Sequence, residues 1–144
     1  GIQRVDTLRL STRGEYGLRT MAGLANVYES GPISLAQVAK SENISLSYLE
    51  QLIGQLRKKG LVDSTRGAKG GYRLARPPER ITVGDVVRAV EGPIAPLDCV
   101  SEEEANCKCQ HQSACRTRVV WERLRDSIAE TLDSTTLADL VSSR

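Results

Sequence analysis

The sequence has no phenylalanine and only one tryptophan, one methionine and one histidine among 144 residues; aromatic side chains make up 3%. A core must therefore be built from Leu, Val, Ile and Ala. So lean a core suits a helical protein that gains further burial by dimerising. No apolar run reaches the roughly 18 residues that a membrane-spanning helix needs, and no signal-peptide-like apolar segment opens the chain. The expected setting is the cytoplasm, with no membrane partner. No Gly-Lys-Ser or Gly-Lys-Thr opens a helix, and neither an acid–base pair nor a cofactor fingerprint stands out, which argues against a nucleotide-binding protein and against an enzyme. Cysteine is absent everywhere except positions 99, 107, 109 and 115.

What is present is ordinary in bulk: 40% hydrophobic, 26% charged, net charge +2. A chain of this length is expected to form one compact unit. Charge distribution says more than the total. Between positions 56 and 80 there are eight Lys or Arg and two acids, whereas 98–104 carries four acids and no base. A local positive excess of that size suits a phosphate backbone. Residues 1–7 (GIQRVDT) show no pattern and are read as an expression remnant.

Apolar spacing of three and four predicts a helix over 12–29, with Ser11 or Thr12 as its cap and Gly31-Pro32 as its stop. Ser34 caps a short second helix with Leu35, Val38 and Ala39 on one face. Asn43-Ile44 reads as a turn. A third helix runs from Ser45 or Ser47 to about Lys59, with Leu49, Ile53 and Leu56 inward. Short helix, turn, longer helix is the spacing of a helix-turn-helix. Strand candidates at 61–62 and 72–74 flank the loop Arg66-Gly67-Ala68-Lys69-Gly70-Gly71, which makes a β-hairpin wing. Pro77-Pro78 closes this unit, so 8–80 reads as a winged helix-turn-helix domain. Beyond it, 81–144 reads as a short helix at 83–90 capped by Thr82, a loop at 94–112, a long helix at 114–132 and a final helix at 135–141 started by Ser134. Trp121, Leu124, Ile128 and Leu132 form a stripe along the long helix. The expected fold class is mainly α with a small β-hairpin wing: a winged helix-turn-helix domain plus a long dimerisation helix.

The start of the second helix of a helix-turn-helix meets base edges in the major groove. Here it offers Ser45, Ser47, Tyr48, Glu50 and Gln51. Gln51 can pair with adenine and Glu50 can accept from cytosine, although a carboxylate facing phosphates is also a liability. Arg66 and Lys69, beside glycines, suit a minor groove or a phosphate clamp. The alternative for each of these residues is a plain cap or a solvated face; the wing favours DNA.

Four cysteines packed into 17 residues of a cytoplasmic chain point to metal or redox chemistry rather than structural disulfides. The spacings are Cys99-x7-Cys107, Cys107-x-Cys109 and Cys109-x5-Cys115. Paired C-x2-C knuckles for zinc are missing, as is the plant-ferredoxin spacing. Loosely spaced thiolates on a loop suit an iron–sulfur cluster, with zinc and a thiol redox switch as the alternatives.

The segments ISLSYLEQLIGQLRKKGLV (44–62), RGAKGGYRLAR (66–76) and ITVGDVVRAVEG (81–92), together with LRLSTRGEYGLR (8–19) and VVWERL (119–124), closely resemble the IscR-like family of bacterial regulators. The resemblance implies a homodimeric winged-helix repressor or activator of iron–sulfur assembly genes. Such a regulator binds a pseudo-palindromic duplex and is controlled by a 2Fe–2S cluster, with a 4Fe–4S cluster as the alternative. It assigns base contacts to Ser45, Ser47 and Gln51 with Tyr48 nearby, and the wing to Arg66 with the backbone of Gly67, Gly70 and Gly71 beside Lys69. Glu50 matches a family residue that discourages one promoter class when the cluster is missing. Cys99, Cys109 and Cys115 match the three family ligands. The well-known fourth ligand, a histidine, is replaced by Arg118, which cannot ligate iron while charged. Cys107, Glu15 from the partner subunit, or His111 would have to serve instead. The rival readings are a cluster-free regulator of thiol redox or cysteine metabolism, and an iron–sulfur carrier or electron-transfer protein.

Overall fold

The computed structural model describes residues 11–96, 100–103 and 116–142. Helix α1 spans Thr12–Asn26, α2 Leu35–Glu42 and α3 Leu46–Lys58; strands β1 (Val62–Thr65) and β2 (Gly71–Leu74) follow, then α4 (Val83–Glu91), α5 (Arg118–Asp133) and α6 (Leu137–Ser142). The fold is thus mainly helical, with one antiparallel hairpin in the register Val62↔Leu74 to Thr65↔Gly71. Ile33 bridges Tyr72 on the outer side of β2, so three short extended segments lie side by side.

Caps explain most boundaries. Ser11 accepts from Arg13 N–H at 3.1 Å, Ser34 from Gln37 N–H at 3.2 Å and Ser45 from Tyr48 N–H at 3.3 Å, each holding an N–H that the first helical turn leaves unpaired. Thr82 and Asp85 form a reciprocal capping box at the start of α4. Three boundaries differ from the sequence reading. Helix α1 ends at Asn26, and Tyr28–Ser30 forms a separate 3-10 turn because the chain must swing round towards Gly31, at φ 90°. Helix α5 starts at Arg118, after a turn at Arg116 and Thr117. Ser134 caps the end of α5 rather than the start of α6. The cap of α6 is Thr136, whose hydroxyl accepts from Asp139 N–H at 3.2 Å while the Asp139 carboxylate accepts from Thr136 N–H at 2.9 Å. The intervening residues are held extended by the Thr82↔Thr136 bridge, and Val83 N–H donates to the Thr135 carbonyl at 2.8 Å.

One core joins the parts. Met21 and Leu24 of α1, Leu49, Leu52 and Leu56 of α3, Leu74 of β2, Ile81, Val86 of α4 and Leu137 of α6 are almost fully buried and belong to one cluster. Glycines let α1 lie close to α4: a Cβ on Gly17 would stand 3.2 Å from the Val90 side chain. The long helix stands apart from this core. None of its 16 residues is buried, while Val119 and Val120 are 63% and 58% exposed.

Candidate nucleic-acid interface

The turn between α2 and α3 is set by Asn43, whose φ of 54° is the left-handed conformation that asparagine tolerates well. It ends α2 and lets the chain turn directly into α3. Leu49, Leu52, Ile53 and Leu56 fill the inner face of α3, so Ser47, Glu50, Gln51, Gly54, Arg57 and Lys58 are left exposed on the outer one. Ser45 is exposed too, and although its oxygen accepts the cap bond, its proton is still available to a base or phosphate. Tyr48 differs from its neighbours. It is half-buried, with its ring edge-on to Tyr16 of α1 at 5.8 Å, and Arg19 lies over that Tyr16 ring at 5.2 Å. Tyr48 therefore fixes the tilt of α3 as much as it faces outward.

The wing tip carries exposed Arg66 and Lys69. Gly67, at φ 113°, makes the turn possible. Gly70 and Gly71 have an internal reason to be glycine: a Cβ on Gly70 would run into the Thr65 carbonyl, and one on Gly71 into the Ile33 carbonyl. Two of the eight basic residues counted in the sequence are committed elsewhere. Arg73 lies over the Tyr28 ring at 4.9 Å and donates to the Tyr28 carbonyl at 3.4 Å, and Arg76 pairs with Asp85 at 3.9 Å. Arg57, Lys58 and Lys59 at the end of α3, with Arg66 and Lys69 on the wing, remain exposed. The exposed face of α3 and the wing tip thus form a polar reading edge with cations on either side.

A second cluster, unforeseen from the sequence, joins α4 to the end of α5. Arg88 of α4 donates to both carboxylate oxygens of Glu102, from Nε at 3.0 Å and Nη2 at 2.7 Å. It also donates to both oxygens of Asp133 at the end of α5, from Nη1 at 2.6 Å and Nη2 at 3.0 Å. Glu102 in turn accepts from Ile94 N–H at 2.7 Å, and its own N–H donates to the Ile94 carbonyl at 3.1 Å. The Arg88 guanidinium, then the Ile94 N–H, holds the Glu102 carboxyl below its ordinary range despite partial burial, and the bonds to Glu102 and then Asp133 push Arg88 further up. Gly84 makes room for this clamp, since a Cβ there would collide with Asp133. Val100 and Ser101, just before Glu102 in the chain, are buried.

Cys99, Cys107, Cys109, Cys115 and His111 lie outside the described residues. Glu15 stands exposed in the first turn of α1. Arg118 is ion-paired with Glu122 one turn on. Among the described residues no group of acidic, His and Cys side chains has the arrangement of a metal site, and no helix is long and apolar enough to cross a membrane.

Residues 10–143 match the model of the Rrf2 family, described as iron-dependent transcriptional regulators. The chain is 46% identical over 135 residues to the HTH-type transcriptional regulator CymR of Bacillus subtilis, covering 94% of this chain and 91% of that protein. A solved structure of CymR, titled the global cysteine regulator of B. subtilis, superposes with a TM-score of 0.78, covering 96% of this chain and 99% of that one. IscR of T. potens is 45% identical with a TM-score of 0.77, covering 94% of this chain and 88% of its own. The HTH-type transcriptional regulator IscR of Sodalis glossinidius is 42% identical over 135 residues, covering 94% of this chain and 79% of that protein.

Proposed function

Because the chain belongs to the Rrf2 family, as an IscR-like transcription regulator and not an enzyme, we propose that it is a cytoplasmic homodimer that grips duplex DNA according to the state of its cysteine loop. The observation that carries the DNA part is the exposed row Ser45, Ser47, Glu50 and Gln51 on α3, beside the Arg66–Lys69 wing tip. The hydroxyls and the Gln51 amide face base edges, the helix start favours phosphate, and the wing cations, with the backbone of Gly67, Gly70 and Gly71, follow the neighbouring groove. The dimer is supported by α5: a 16-residue helix with a Trp121–Leu124–Ile128–Leu132 stripe and no buried residue has apolar surface left to cover. Two heads related by a two-fold axis would read a pseudo-palindromic operator with half-sites about one helical turn apart.

The donor set fits an iron–sulfur cluster in its chemistry. Cys99, Cys109 and Cys115 supply three thiolates, and Cys107, His111 or the exposed Glu15 of the other subunit offers a fourth donor. When bound, a cluster of the 2Fe–2S or 4Fe–4S type would supply a link that depends on iron and on redox state. The chain's own part is mechanical. Arg88 fastens the start of the loop to α4 and α5, so ordering of 94–112 is felt by the helices that orient the heads. A population shift worth about 1–3 kcal/mol would then decide whether Glu50 is tolerated at a given promoter, and so whether iron–sulfur assembly genes are repressed or activated. Anaerobically isolated protein should hold iron and sulfide, and Cys99→Ala should lose the absorbance and change promoter choice. Unchanged spectra and unchanged gel shifts in that variant would refute cluster control.

The likeness to a global cysteine regulator favours a second reading, in which the same head answers to thiol oxidation or cysteine metabolism without a cluster. That reading expects colourless, iron-free protein even without air, and DNA binding that responds to oxidant. A carrier or electron-transfer role expects no sequence-specific DNA binding at all.

A further inference from the structure

Leu46 is the most exposed apolar side chain of α3. It holds the first helical position of α3 and is 44% exposed, one of three exposed large hydrophobic residues among the described residues; the other two, Val119 and Val120, lie on α5. The inner face of α3 is complete without it, filled by Leu49, Leu52, Ile53 and Leu56. At about 100° per residue, Leu46 lies at the edge of the outward row, within about 40° of Arg57 and Glu50 on one side and about 20° from Ile53 on the other. Gly54 lies in the same arc, with open space around it.

Among the base edges of the major groove, a single substituent is apolar, the C5-methyl of thymine; all the rest donate or accept hydrogen bonds. We propose that Leu46 is a specificity-determining residue that packs against one thymine methyl in each half-site. The proposal rests on the DNA-binding reading above. Ser45, Ser47 and Gln51 are equipped for the hydrogen-bonding edges, while Leu46 takes the one feature they cannot recognise, and it does so from the leading end of α3. Burying the methyl against an isobutyl group removes apolar surface from water on both sides.

The test is a duplex selected by the protein itself from a randomised pool, then resynthesised with each half-site thymine replaced in turn by uracil. Uracil lacks only the methyl group and keeps every hydrogen-bonding position. Wild type should lose about fourfold in affinity per half-site at one thymine position, the effect expected for one buried methyl. Leu46→Ala should bind the thymine and uracil duplexes equally at that position, with a melting temperature close to wild type because the side chain is exposed. A uracil penalty that survives in Leu46→Ala overturns the proposal, as does a selected duplex with no methyl-sensitive thymine. Failure to select any duplex overturns the DNA-binding reading itself, and this proposal with it. The wild-type uracil scan needs no variant, so it stands however Leu46→Ala folds.

Discussion

Helices α3 and α5 carry equally plain apolar stripes in the sequence, yet they meet opposite fates. Four of the thirteen residues of α3 are buried against its own chain, and none of the sixteen in α5 is. Periodicity announces that a face will be covered without saying by what. The reading head is finished within one chain, with caps, core and hairpin all mutually satisfied. Helix α5, which would dimerise, has no buried residue, is joined to α4 by the Arg88 clamp, and leaves its stripe half-covered.

Four substitutions sharpen that contrast. Leu52→Ala, which truncates a fully buried side chain in α3, should cost about 2–5 kcal/mol in urea unfolding, by the same amount at every protein concentration. Leu124→Ala should behave differently: its cost should appear as weaker self-association in sedimentation and as a concentration-dependent Tm. A Leu124→Ala protein that sediments as wild type would make α5 an ordinary helix of its own chain.

Arg88→Ala should have a smaller effect, about 1–2 kcal/mol, between an exposed pair and a buried charge-assisted bond. Its pH dependence is the sharper readout. Glu102 is held below its ordinary value of 4.5, so its contribution is present above that pH and drains away as pH falls through the lowered value. Wild type should therefore lose stability on acidification below 4.5 more steeply than Arg88→Ala does. Equal slopes would mean that the clamp does not hold the loop start. Gly54→Ala should have the smallest effect and the opposite sign, raising stability by about 0.5–1 kcal/mol in thermal melts, because nothing lies within 4 Å of the added Cβ.

The parts legible in the sequence were those fixed by neighbours along the chain. Ser34 and Thr82 were found as caps, and Ser11 and Ser45 as one of two neighbouring candidates each, because a cap acts within three residues; Asn43 and the hairpin glycines carry their own conformational signal. Ser134 misled because it looks as good a cap as Thr136; the deciding influence, the bridge to Thr82, comes from more than fifty positions away. The Arg88 clamp was illegible for the same reason, since its partners lie 14 and 45 residues off. Counting basic residues also overstated the interface, because Arg73 and Arg76 are spent on Tyr28 and Asp85. Leu46 escaped notice in a reading that looked for hydrogen-bonding groups.

The bridge from Ile33 to Tyr72 has a consequence for the duplex. Ile33 N–H donates to the Tyr72 carbonyl at 2.9 Å and Tyr72 N–H returns the bond at 2.8 Å, which ties the wing to the chain just ahead of α2. The two jaws that would enter neighbouring grooves are thereby set like a locked calliper, and the span between them belongs to the protein alone. A duplex whose groove spacing departs from that gauge has to bend or twist to be held, so base steps that no side chain reaches acquire a vote through their stiffness.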